Sequence, residues 1–113
     1  MTKARVRKTM ERWLYVILLD PAVARNKRFR QDNPDYDGKA VCYYVGSSAK
    51  DPETRFAEHV RGHKSAKVVR QFGKKVVHPR CRRMQVLSTG SIEAKERRYA
   101  ARLRAEGFGV YQG

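Results

Sequence analysis

A small α/β protein of the α+β kind, with a mainly antiparallel three-stranded sheet flanked by helices, is predicted by three stretches of this chain. Residues 13–19, WLYVILL, are apolar at every position, which marks a strand covered on both faces. The run Val41-Cys42-Tyr43-Tyr44-Val45 is β-branched and aromatic and closes on Gly46-Ser47-Ser48, as a strand feeding a tight turn does. Near the end, Ile92, Tyr99 and Leu103 fall at helical spacing and define the buried stripe of a last helix.

Each element has local chemistry behind it. Residues 1–11 read as a basic arm ahead of one domain, 12–113. Asp20-Pro21 ends the first strand, and residues 20–39 form a long polar loop with turn signals at Asn33-Pro34-Asp35 and Asp37-Gly38. Lys27, Arg28 and Arg30 make a basic knot in it. Its length predicts a substrate-contacting loop, with a tolerated insertion as the alternative. After the second strand, Asp51 has the character of an N-cap, Pro52 suits the first helical position, and Glu53 faces the positive end of the helix dipole. Gly62 is the expected stop. On this helix Phe56 and Val60 should face the core, while Arg55 and His59 share a neighbouring face. Ser65 is placed to cap a short helix through Phe72, with Val68, Val69 and Phe72 inward and Gly73 as terminator. A third strand is expected over 83–87. Ser91 is expected to cap the last helix, which runs to about Glu106 with Gly107 just past its end, and residues 108–111 are apolar enough to return to the sheet.

The chain has 113 residues, enough for a single core. Its 26 lysines and arginines oppose 11 acidic residues, a formal net charge of +15. So large an excess favours a polyanionic partner, most simply nucleic acid. Lys64, Lys67, Arg70, Lys74 and Lys75 join Lys27, Arg28 and Arg30 as its candidate contacts. The longest apolar stretch, 13–19, falls far short of the roughly 20 residues of a membrane span, and no long apolar region follows the basic start, so no signal peptide is indicated. Cys42 in a hydrophobic strand and Cys81 in a basic segment do not make a disulfide framework, so a reducing cytoplasm is expected.

Glu96 lies on the core stripe of the last helix, four after Ile92 and three before Tyr99, whereas Glu93 points outward with Arg97. A carboxylate there is costly unless it is paired, hydrogen-bonded or bound to a metal. A salt bridge to a buried arginine is one reading; a Mg²⁺ (or Mn²⁺) ligand is the sharper one, because a hard cation keeps most of its waters and needs few protein carboxylates. Tyr15, Tyr44, Arg55, His59 and Glu96 together cover the roles of phosphodiester hydrolysis: activating water, stabilising the phosphate and holding a metal. A competing zinc set, His59, His63, His78 and Cys81, is possible on spacing alone, with exposed histidines facing nucleic acid as the alternative.

The ordered motifs resemble those of GIY-YIG nucleases. Trp13-Leu14-Tyr15 stands for the first motif, with Trp13 where the family has glycine, and Tyr44-Val45-Gly46 for the second, after a longer connection than usual. Arg55-Phe56-Ala57-Glu58-His59 matches the Arg-x-x-x-His of the first helix, and Glu96 the metal-binding glutamate. The resemblance implies a single-metal endonuclease acting on nucleic acid, by analogy DNA, with one monomer cutting one strand. It implies that Glu96 holds the metal and that Arg55 neutralises charge on the phosphate. Tyr15 would deprotonate or position the attacking water, Tyr44 would orient water or metal, and His59 would serve as an alternative base or proton relay. Gly46, without a Cβ, would let the backbone approach the site closely. A basic binding module that does not cut, and a subunit of a larger repair, recombination or restriction assembly, are the rival expectations.

Overall fold

The computed structural model describes residues 9–62 and 66–113, and in it a mixed five-stranded sheet is enclosed by four α-helices. Strand β1, Met10–Leu19, is the hub. It pairs antiparallel with β2, Cys42–Ser48, on one side, and with both β3, Gly73–Val76, and β4, Arg82–Val86, on the other. The last strand, β5, Gly109–Gln112, runs parallel to β2. Three of the four pairings are thus antiparallel, but the sheet has five strands rather than three. β1 also begins inside the stretch expected to be an arm, because Met10–Leu14 find partners in β4.

Alternation along β1 and β2 makes two apolar layers. Tyr15, Ile17, Leu19, Cys42 and Tyr44 face one side, packed against Val68, Val69, Val23 and Phe29. Leu14, Val16, Tyr43 and Val45 face the other, against Ala100, Leu103 and Val110. The double coverage expected of the first strand is therefore present.

The 20–39 connection is folded. Asp20 accepts from Ala22 N at 2.8 Å and opens a 3₁₀ turn, Pro21–Arg25, and Asn26 accepts from Phe29 N at 2.9 Å to cap helix α1, Lys27–Asp32. Val23 and Phe29 are the plugs that seat this segment under the sheet. Asn33 then closes the open edge of β5. Its Nδ2 donates to Val110 O at 2.9 Å and to Phe29 O at 2.7 Å, while its Oδ1 accepts from Val110 N at 2.8 Å and Arg104 Nε at 3.1 Å.

Helix α2, Pro52–Arg61, is capped by Asp51, whose Oδ1 accepts from Thr54 N at 3.0 Å, and stops at Gly62, whose φ of 83° lies in the left-handed region that glycine adopts without strain. Its inward face meets expectation in part: Phe56 packs against the core, but Val60 is 55% exposed, and Glu58 and His59 are buried, because the helix turns its Arg55–Glu58–His59 face towards the tyrosine layer. Helix α3, Lys67–Phe72, buries Val68 and Val69; its expected cap, Ser65, lies outside the described residues. Gly73 ends α3 as expected, its backbone N–H donating to Val69 O, and in the same step starts β3. Helix α4, Thr89–Ala105, is capped three residues earlier than expected, by Ser88, and buries Ile92, Glu96, Ala100 and Leu103. The two cysteines are free, and among the described residues no helix is long and apolar enough to cross a membrane.

Candidate functional site

The register of β1 and β2 sets Tyr15 opposite Gly46 and Ile17 opposite Tyr44, so the two tyrosines are diagonal neighbours on one face, their ring centroids 6.0 Å apart. A Cβ at Gly46 would fall 2.6 Å from the Tyr15 hydroxyl, so only a residue without one leaves room for that ring. Helix α2 lays His59 across both tyrosines, 6.0 Å from each ring.

Hydrogen bonds fix the state of His59. The backbone N–H of Ala66 donates to Nδ1 at 2.9 Å, so that nitrogen carries no proton. Nε2 therefore carries it and donates to Tyr15 Oη, also at 2.9 Å. His59 is 1% exposed; burial first, and the neighbouring Arg55 cation second, lower its pKa to about 4, against a smaller opposing pull from Glu58. The imidazole is neutral at pH 7 and acts towards Tyr15 as a donor, able to stabilise negative charge on that oxygen. Burial raises the pKa of Tyr15, as does the Tyr44 hydroxyl, while Arg55 opposes both. Tyr44 is raised by burial too, with Glu96 adding to it and the Tyr15 hydroxyl and Arg55 opposing. Arg55 is oriented by Glu58, its Nη1 3.2 Å from Oε1, and the same carboxylate binds Lys50.

Glu96 approaches from α4, on the other layer. Ser47, two residues after Val45 and so on the same face of β2, faces α4 and donates its hydroxyl to Glu96 Oε2. Burial raises the Glu96 pKa, Ser47 opposing; Glu93 raises it further, while Gln112 and Arg97 lower it. The buried Tyr15, Tyr44 and His59 and the half-buried Arg55 thus form one polar layer, with Glu96 at its margin, within electrostatic reach of Tyr44. Among the described residues no three His, Cys, Asp or Glu side chains are grouped as metal ligands, so a cation here would have Glu96 as its carboxylate and water for most of its shell.

Among the described residues, His59, His78 and Cys81 of the zinc set do not assemble. Both nitrogens of His59 are taken, His78 Nε2 pairs with Glu53 Oε1 at 2.7 Å, and Cys81 Sγ sits between Val16 N and Val77 O, each at 3.4 Å. His63 lies outside the described residues.

The basic candidates are placed unevenly. Lys27, Arg28 and Arg30 lie on α1, Lys67 and Arg70 on α3, and Lys74 and Lys75 on β3, all exposed; Lys64 lies outside the described residues. Three of them have work inside the fold. Arg28 sits 4.5 Å over the Tyr111 ring, donates to Gln112 O at 2.8 Å and pairs with Asp32. Arg30 donates to the Arg25 carbonyl, and Lys74 pairs with Asp20 at 3.0 Å.

Ser47, Glu58, Lys50 and Tyr111 are site neighbours that the sequence reading passed over. Tyr111 stacks on Tyr44 with rings 6.1 Å apart at 19°. Glu58 carried a usable signal, since it stands three after Arg55 on the same helix face. Ser47 was readable only if the strand continued past Gly46, as it does.

No protein-family model, curated protein or solved structure matches this chain.

Proposed function

We propose that this chain is a metal-dependent endonuclease that hydrolyses phosphodiester bonds in nucleic acid, on a GIY-YIG-like scaffold. The observation that carries the reading is the convergence of Tyr15, Tyr44, Arg55 and His59, from two strands and a helix, in one hydrogen-bonded layer with Glu96 at its margin. Tyr15 would position the attacking water, with His59 Nε2–H holding its oxygen and stabilising charge that passes through it. Arg55, kept in place by Glu58, would face the charge building on the phosphate. Glu96 and Ser47 offer oxygen donors that fit a hard cation such as Mg²⁺ or Mn²⁺, and burial already disfavours the bare carboxylate. When bound, the ion would offset negative charge on the reacting phosphate. The net charge of +15 supports a nucleic-acid substrate, with DNA the choice by analogy.

A second reading is favoured by one observation. Tyr15 is 2% and Tyr44 4% exposed, and the backbone at Gly113, bonded to Val45 O at 2.9 Å, lies against the Tyr44 hydroxyl. Such closure suits a basic binding module on the same scaffold that holds nucleic acid without cutting it. Incubation with supercoiled, linear and branched DNA and with RNA, in Mg²⁺ and in EDTA, separates the two. New ends formed only with Mg²⁺ support hydrolysis; salt-sensitive binding without cutting of any substrate supports the module.

A further inference from the structure

On the sheet face opposite the tyrosines, β4 and α4 bound a groove of about 280 Å³. Its floor is apolar: Leu14 from β1, Met84 from β4 and Tyr99 from α4. Its rim is cationic. Lys95, Arg98 and Arg102, at spacings of three and four, stand on one stripe of α4, and Arg82, paired across the sheet with Leu14, faces them from β4. No acidic side chain lines it, and among the described residues none of the four cations is in an ion pair. Arg82 is held in position by the carbonyls of Pro79 and Cys81, at 2.7 and 2.9 Å. Tyr99 is fixed in turn by its bond to Arg80 O at 2.6 Å.

Four like charges around one groove repel each other, and ordinary surfaces relieve this by mixing signs. A chain of phosphates removes the repulsion and gains from counterion release. The apolar floor suits the sugar faces and a base stacked on the Tyr99 ring, a contact that every base can make.

We propose that this groove is a second nucleic-acid site, which takes the sugar–phosphate backbone of one strand and anchors it away from the tyrosine layer. The proposal rests on the nucleic-acid reading for its ligand class and not on cleavage. The sheet separates the groove from Tyr15, and Glu96, on the same side of the sheet as the groove, is turned to Ser47 and does not line it, so the groove is an anchoring surface rather than part of the reacting site.

The test is the affinity for labelled single-stranded and duplex oligonucleotides over a salt series. It compares the native chain, Lys95→Gln/Arg98→Gln/Arg102→Gln, and a control of equal charge loss, Arg25→Gln/Lys39→Gln/Arg97→Gln, whose sites are exposed and outside the groove. Glutamine keeps the helix propensity of α4, and matching circular dichroism and melting confirm that all three are folded. The groove variant should bind at least one of the two probes about tenfold or more weakly at moderate salt, with a salt slope shallower by about two to three, while the control changes by less than about threefold. Equal losses in both variants would mean that net charge alone acts and would overturn the groove site. An unchanged groove variant would overturn it too, leaving other faces to bind nucleic acid. A native chain that binds neither DNA nor RNA would remove the nucleic-acid reading itself, and the groove proposal with it.

Discussion

His59 shows how burial and one backbone bond settle a side chain's chemistry. Its Nδ1 is committed to Ala66 N–H, so protonation would cost that bond as well as placing a cation beside Arg55. The folded-state pKa of about 4 lies below the unfolded value of 6.5. Between those values the unfolded chain binds the extra proton, so His59 supports folding above about pH 6.5 and loses that contribution as pH falls towards 4. Denaturant melts from pH 7 to 4 should show stability falling by up to about 3 kcal/mol from this group. His59→Gln should flatten that part of the profile. Gly46 carries a steric prediction. Gly46→Ala drives a methyl into the Tyr15 hydroxyl and should destabilise by about 1–3 kcal/mol, read as a lower denaturation midpoint with an unchanged m-value.

At the level of elements, β5 survives as an edge strand because side chains replace the missing neighbour. Asn33 satisfies both the N–H and the C=O of Val110, and Arg104 adds a bond to the same carbonyl at 3.0 Å. Asn33→Ala leaves the Val110 N–H buried without that partner and should cost about 1–3 kcal/mol, measured by chemical denaturation. None of this was legible beforehand, since Asn33-Pro34-Asp35 reads as a turn and its long-range role depends on where β5 lands. The same holds for α1 and β3, six and four residues long, too short to show a period. What was legible had strong local chemistry: the Asp51-Pro52 start and Gly62 stop of α2, the two-sided β1, and Glu96 on the buried face of α4. The apolarity of Phe56 and Val60 does not by itself orient α2: Phe56 packs on the core, but a polar trio, Arg55, Glu58 and His59, sets the rotation and leaves Val60 outside.

Over the whole molecule, the tyrosine layer with α1, α2 and α3 lies on one side of the sheet and the basic groove with α4 on the other, and Glu96 and Ser47 join the two at the margin of the polar layer. Glu96 is the residue on which the proposed function and the stability of the fold conflict. Burial raises its pKa, so its contribution to folding is full below its unfolded value of 4.5 and is lost as pH rises through the folded value, leaving a cost at neutral pH. The most direct measurement pairs two readings on the native chain and Glu96→Gln at neutral pH: the melting temperature, and the Mg²⁺-dependent nicking of supercoiled DNA. Glu96→Gln should melt higher, no longer gain stability from Mg²⁺, and nick on the order of a hundredfold more slowly or not at all. Nicking by Glu96→Gln at the native rate, or a native chain that cuts neither DNA nor RNA in Mg²⁺, would contradict the proposed function.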